Sequence, residues 1–460
     1  MKPIATVLVS IGIVGLFWLD REPRGRTSKA LWISVVYLLI NSSRPIAAWF
    51  AGGPQPIAAD GIYSDPVGAV IDVLLMALAL IALIPRRKKV GALLRNSWPI
   101  LLFFSYAGLS VLWSDFPYIT VKHWLKGIED IVLVLVVVTD GDPVLAVKRL
   151  LTRSGFILIP LSLLLSMYYP SLGRVFDKAW EVEYVGVADQ KNQLGIICMI
   201  FGLASLWSIL RALRNRVISV RIRQLVAHGV ILGMTIWLLT MCRSLTSSIC
   251  LVLAGTMMVL TSRRSSGVKP ARAHLLVAVA GCSALIPVFF ARGLLDLFGR
   301  DVTLSGRTAI WHSVLSLVQH PWLGAGYETF LMGPRLVELR KLYQNSFQEA
   351  HNGYLEVYLN LGWIGVSLFA FLLITGYQKV VAALRRQPAV GSLSLALLIA
   401  VAINGLTEAP FRMMTITIFF LLWSIMASST VVRPKPQRRR KRTAELEEID
   451  FHSAVAVEVG

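Results

Sequence analysis

The sequence predicts an all-α polytopic membrane protein of about thirteen transmembrane helices, with one large extracytoplasmic loop. Three observations carry that reading. Apolar residues make up 55% of the 460-residue chain and charged residues only 16%, against about 25% charged in soluble domains, and the mean hydropathy is +0.65. The apolar residues gather in runs long enough to cross a ~30 Å hydrocarbon layer, which takes roughly 17–25 residues. Lys and Arg cluster in alternate connections between those runs. The balance excludes most soluble enzymes.

In chain order the runs are 4–19, 30–49, 66–84, 98–113, 124–138, 155–169, 194–210, 225–241, 246–261, 275–291, 354–377, 390–406 and 413–429. The first lacks a small-residue cleavage pattern and is followed by Asp20-Arg21-Glu22, so it reads as a retained anchor. Arg44 and Pro45 interrupt the second, and the fifth is preceded by Lys122 and carries Lys126 and Asp130 in its first turns. Asp72 lies mid-span in the third and belongs in the bundle interior. With the C-terminal tail in the cytoplasm, alternation puts 31 of the 46 Lys and Arg on that side, the bias that fixes orientation. The N-terminus is then extracytoplasmic.

The formal net charge of +20 is thus mostly topology and contact with membrane lipids, and no nucleic-acid partner is expected. Two units follow: a membrane domain over 1–432 and a disordered basic cytoplasmic tail over 433–460, which carries Arg438-Arg439-Arg440-Lys441-Arg442. Cys198, Cys242, Cys250 and Cys282 lie in or beside apolar runs with no C-x-x-C pair. Neither a disulfide framework nor a metal site is implied.

Two outer connections stand apart from the usual ~4–6 residues. The loop 292–352 is about sixty residues long, and the shorter loop 170–193 holds Asp189-Gln190-Lys191-Asn192-Gln193. The long loop ends in Ala350-His351-Asn352-Gly353-Tyr354-Leu355-Glu356 and opens an apolar helix. His351 at that N-terminus is expected to be neutral near pH 7, because the helix dipole and nearby cations disfavour imidazolium, and a neutral imidazole can accept a proton. A bland alternative makes His351 a helix cap or an interfacial residue.

Within the loop, Arg307 and Trp311 are four apart and share a helix face, which suits a guanidinium at headgroup depth facing lipid phosphate. Snorkelling is its bland alternative. Arg243 sits in a short Ser/Thr-rich outer turn between two apolar runs, where an arginine calls for an anion. Arg243, Arg307 and Lys191 together can neutralise a diphosphate. Glu408 is a further polar group at the outer face, suited to orienting a cation or a sugar hydroxyl, and Asn352 completes the substrate-binding set. No phosphate-binding glycine loop, H-E-x-x-H or G-x-S-x-G is present, so no nucleotide or other cofactor is expected.

Arg243 in its turn, S-G-R-x-x-x-W at 305–311, H-P-W-L-G-x-G at 320–326, and H-N-x-Y-L-E with L-G-x-x-G over 351–365 together resemble the O-antigen ligase/Wzy-type polysaccharide polymerase family. Trp113-Ser114-Asp115-Phe116-Pro117, the 189–195 motif and Ser43-Arg44-Pro45 make it most similar to the exopolysaccharide polymerase branch. The resemblance implies a GT-C-like, metal-independent, inverting glycosyltransferase at the outer face of the bacterial inner membrane. Such an enzyme transfers undecaprenyl-diphosphate-linked oligosaccharide to an acceptor glycan hydroxyl. His351 aligns with the proposed general base, and Arg243 and Arg307 with the arginines that grip the diphosphate. A flippase and a chain-length regulator are the implied protein partners. Attachment of glycan to lipid A-core or protein is the alternative chemistry. Transport of lipid-linked sugar is the alternative of another class, and it would require polar groups distributed through the membrane depth.

Overall fold

Twelve of the thirteen runs fold as helix in the computed structural model, which describes residues 2–21, 25–51, 66–176, 180–262, 274–275, 277–279, 281, 303–343, 347 and 349–432. Most of the run 275–291 and the whole tail 433–460 lie outside the described residues. The described α-helices begin with α1 (Lys2–Leu19), α2 (Leu31–Asn41), α3 (Ile46–Ala51), α4 (Pro66–Leu83), α5 (Arg87–Asn96), α6 (Trp98–Leu109), α7 (Pro117–Val138), α8 (Pro143–Tyr168), α9 (Pro170–Gly173), α10 (Lys191–Ala212), α11 (Ile218–Cys242) and α12 (Leu245–Ser262). They continue with α13 (Thr303–Ser316), α14 (Gly333–Leu342), α15 (Gly353–Arg386), α16 (Pro388–Asn404) and α17 (Ile416–Val432). Seven described helices are long and apolar enough to cross a membrane, and four shorter apolar helices join them. The protein is an all-α polytopic membrane protein.

Local chemistry sets the boundaries. Asp142 caps α8 by accepting from the backbone N–H groups of Val144 and Leu145, with Pro143 at the first helical position. The expected second span is broken: α2 stops at Asn41 and α3 begins at Ile46. There Arg44 turns inward and donates to the carbonyls of Leu172, Gly186 and Ala188. Burial then sorts the helices. α16 and α17 are buried almost throughout, whereas α1 exposes Ile4, Val7, Leu8, Ile11 and Val14 and α4 exposes Val70, Val73 and Leu74. An all-round apolar helix with one face left open is what a lipid-facing span requires. Asp72, expected in the interior, is buried and pairs with Lys126 of α7 at 3.4 Å.

Contacts join like ends. At the basic end, Lys379 donates to the carbonyl of Asn96, Ser97 meets Ser429, and Trp207 donates to the carbonyl of Ala389. At the other end the described residues of the long loop, from 303 on, are packed. α13, α14 and the turns between them close a second apolar core of Val314, Phe330, Leu336, Leu339, Phe347 and Leu359. The 170–193 connection forms a small antiparallel hairpin, β1 (Arg174–Phe176) against β2 (Val182–Tyr184).

Two of the quoted motifs fit each other. α15 is kinked at Gly362, whose φ is 63°. That break frees the carbonyls of Leu359 and Asn360 to accept from Ala325 and Gly326, while Trp363 and Ile364 donate to Pro321 and Trp322. A Cβ at Gly362 would lie 2.3 Å from the Trp322 backbone, so only glycine allows the approach.

Candidate active site

The N-terminus of α15 organises the end of the bundle remote from the basic connections. Asn352 is its N-cap, with Oδ1 accepting from the backbone N–H groups of Tyr354 and Leu355. The substrate-binding part expected of Asn352 is therefore replaced, at that oxygen, by a capping part. The Gly353 N–H donates to the carbonyls of both Gly405 and Glu408 at 2.9 and 2.8 Å, which docks the 405–408 turn onto the helix. His351 immediately precedes the cap in a left-handed conformation, φ 50°, unusual for a residue with a side chain. The residue before it is held at both backbone groups: Trp311 Nε1 donates to the carbonyl of Ala350 at 2.9 Å, and Ala350 N donates to Glu356 Oε1 at 3.1 Å.

Two carboxylates flank the imidazole. His351 Nδ1 lies 3.0 Å from Glu349 Oε1 and 3.5 Å from Glu408 Oε2. Arg307 arrives from α13 and donates to the Thr407 carbonyl at 2.6 Å and to Glu408 Oε1 at 3.2 Å. Asn192, at the start of α10, donates to Glu408 Oε2 at 3.1 Å. On the far side Arg412 faces three carboxylates: Glu356 at 3.4 Å, Glu328 at 3.6 Å and Glu349 at 3.6 Å.

Electrostatics correct one expectation. Burial works against a charged imidazole, yet the hydrogen-bonding and charge of Glu349 and Glu408 overcome it and push the His351 pKa up to about 9. His351 is therefore a cation at neutral pH in the unliganded protein, not the neutral group expected from the helix dipole and nearby cations. The cause is two carboxylates that the fold brings from positions 349 and 408. Glu349 is held below the usual carboxylate range: burial raises it, but His351, Arg412 and Arg307 outweigh burial. Burial pushes Glu328 up, and Arg412 opposes the rise. The Arg412 pKa is raised by Glu356 first, then by Glu328 and Glu349, against its own burial.

The other expected residues sit nearby but face elsewhere. Arg243 is the left-handed C-cap of α11, φ 51°, with its exposed guanidinium 3.7 Å from Glu181. Lys191 pairs with Glu183. Both acids belong to the hairpin or its flank. The elements themselves join the site, since Thr407 Oγ1 donates to Thr246 Oγ1 at 2.9 Å and Gly195 of α10 packs on Ser244, where a Cβ would lie 2.4 Å away. The structure thus brings His351, Arg307 and Glu408 together and places Arg243 and Lys191 on a neighbouring rim. Trp311 braces the 350 carbonyl.

Sequence reasoning missed Glu349, Glu328, Glu356 and Arg412 as site residues. Arg412 carried a usable signal, an arginine in a short outer turn between two apolar runs, as with Arg243. Glu349, His351 and Glu408 present ligand atoms within 4.8 Å of one another, a spacing that can hold a cation. Arg307 and Arg412 already hold two of those carboxylates.

The O-antigen ligase family model matches residues 228–370. That span includes Arg243, Arg307 and His351 and stops short of Glu408 and Arg412. Among curated proteins, the exopolysaccharide production protein ExoQ of Rhizobium meliloti is 25% identical over 309 residues, covering 65% of this chain and 68% of its own length. The chain is thus similar to O-antigen ligases over residues 228–370 and to an exopolysaccharide production protein over a longer stretch.

Proposed function

We propose that the protein is an inverting glycosyltransferase of the inner membrane. It moves undecaprenyl-diphosphate-linked repeat units onto an acceptor glycan hydroxyl at the extracytoplasmic face and so polymerises an exopolysaccharide. The observation that carries this reading is the convergence of His351, Glu408 and Arg307 in one cluster. The acceptor oxygen bonds to the anomeric carbon as its proton passes to His351. The anomeric carbon–phosphate oxygen bond breaks, and its electron pair leaves on the diphosphate. Arg307 stabilises that growing charge, joined by Arg243 and Lys191 once the diphosphate displaces Glu181 and Glu183. The exposed Arg243–Glu181 pair opposes such exchange little.

His351 must first be neutral to act as a base. From a pKa of about 9, deprotonation at pH 7 costs ~3 kcal/mol. Acceptor binding excludes water and adds to the desolvation that disfavours imidazolium, which offsets part of this. Glu349 and Glu408 then stabilise the imidazolium that forms in the transfer.

The similarity to O-antigen ligases over residues 228–370 favours a second reading, attachment of glycan to lipid A-core or protein. Purified protein in vesicles with lipid-diphosphate repeat units and a chelator separates them. A ladder of glycans supports metal-independent polymerisation. Transfer only when lipid A-core or protein is added supports ligation. No transfer with either acceptor overturns the proposal.

A further inference from the structure

On the Arg412 side of His351 lies a cavity of about 310 Å3, lined by His123, Glu328, Glu356, Asn360, Arg412 and Thr415 among others. That is the lower end of the ~300–1,000 Å3 of small-ligand sites. We propose that it is the acceptor-sugar subsite, holding an uncharged sugar ring of the acceptor chain. The proposal rests on the reading of His351 as the point of transfer.

Charge selects the occupant. Three carboxylates, Glu328, Glu349 and Glu356, face one guanidinium on this flank, so a diphosphate is repelled and hydroxyl donors are welcome. Arg307 instead meets Glu408, the second carboxylate beside His351, and Arg243 and Lys191 lie on neighbouring elements. The groups joined to His351 through its two carboxylates are therefore matched to the two halves of a glycosyl transfer.

Donors and acceptors are set out for a polyol. His123 Nδ1 lies 3.0 Å from the Glu328 carbonyl oxygen and so carries the hydrogen, which leaves Nε2 as an acceptor. Glu356 spends Oε1 on Ala350 N, while Oε2 faces Arg412 without a hydrogen bond of good geometry. Glu328 is held in a left-handed conformation, φ 56°, a strained state that persists only where the surroundings enforce it. Asn360 is rigid, accepting from Thr329 and Phe330 at 3.0 Å each. Leu331, Met332 and Met413 supply an apolar wall for the C–H face of a ring. The subsite is one carboxylate from the transfer point, because Glu349 lies 3.6 Å from Arg412 and 3.0 Å from His351.

The test uses the full-length protein in nanodiscs with two probes, an array of free neutral oligosaccharides and inorganic pyrophosphate. The wild type is expected to bind at least one oligosaccharide. Glu328→Gln and the cavity-filling Met332→Trp weaken that binding at least tenfold and leave pyrophosphate binding unchanged, whereas Arg307→Gln does the reverse. A retained wild-type melting profile keeps each variant informative, and Glu328→Gln is isosteric should Met332→Trp misfold. Oligosaccharide affinity untouched by folded cavity variants, pyrophosphate affinity lost with them, or no oligosaccharide bound by the wild type overturns the subsite. The His351 reading fails separately, if His351→Ala still forms polymer.

Discussion

Among the described residues two histidines meet carboxylates, and one of the two, His351, lies beside a usable space. Near the basic end, His228 Nε2 and Lys148 Nζ each lie 3.3 Å from Asp20 Oδ1, with all three side chains under 10% exposed. The space beside His228 is about 10 Å3, too small for more than a water. At the opposite end His351 meets Glu349 and Glu408 with 26% of its side chain exposed, and Arg412 connects the cluster to a 310 Å3 cavity. The chemical groups are nearly the same. Access, and the surplus of carboxylates over cations, separates a packing device from a site.

The sharpest way to break the comparison is to remove each imidazole. His351→Ala is expected to lower transfer by ~10²–10⁴-fold, the usual contribution of a positioned base, with unchanged membrane insertion. His228→Ala is expected to lower the melting temperature and leave the rate of the inserted protein intact. Next in size, Asp20→Ala leaves Lys148 and His228 buried without their carboxylate and is expected to destabilise the fold by ~3–5 kcal/mol, read by thermal unfolding in detergent.

pH sharpens the contrast further. The His351 pKa is raised from 6.5 to about 9. Its contribution to stability is therefore present in full below about pH 6.5 and is lost as pH rises through about 9. The neutral, base-competent form grows over the same interval, so kcat/KM is expected to rise while stability falls. His351→Gln removes both slopes. A rate that is flat between pH 6.5 and 9 would dismiss the base assignment.

The rim residues give the smaller effects. Arg243→Lys keeps the charge but loses the forked donor pair, so transfer falls several-fold with no change in melting, because the side chain is exposed. Glu181→Gln with Glu183→Gln frees Arg243 and Lys191 and is expected to tighten pyrophosphate binding by no more than a few-fold, measured by calorimetry.

Among the described residues, helix order and most boundaries were legible because each run is long, apolar and punctuated by charge. The Ser42–Pro45 break was signalled by Arg44 and Pro45, although not the inward arginine staple. At the site, His351, Arg307 and Glu408 were legible as polar groups stranded at outer helix ends, and they do converge. What one dimension hid was pairing at a distance. Glu349 looked like an ordinary loop acid, and nothing local shows that it and Glu408 would converge on one imidazole and reverse its charge. Asn352 reads as substrate-binding from its place in the motif, yet its oxygen is taken by the helix it starts.

The most direct measurement is polymer yield from His351→Ala and His228→Ala proteins, side by side in vesicles of matched protein content with lipid-diphosphate repeat units. The expected result is no polymer from the first and wild-type chain lengths from the second. Equal polymer from both would contradict the assignment of His351 as the group that takes the acceptor proton.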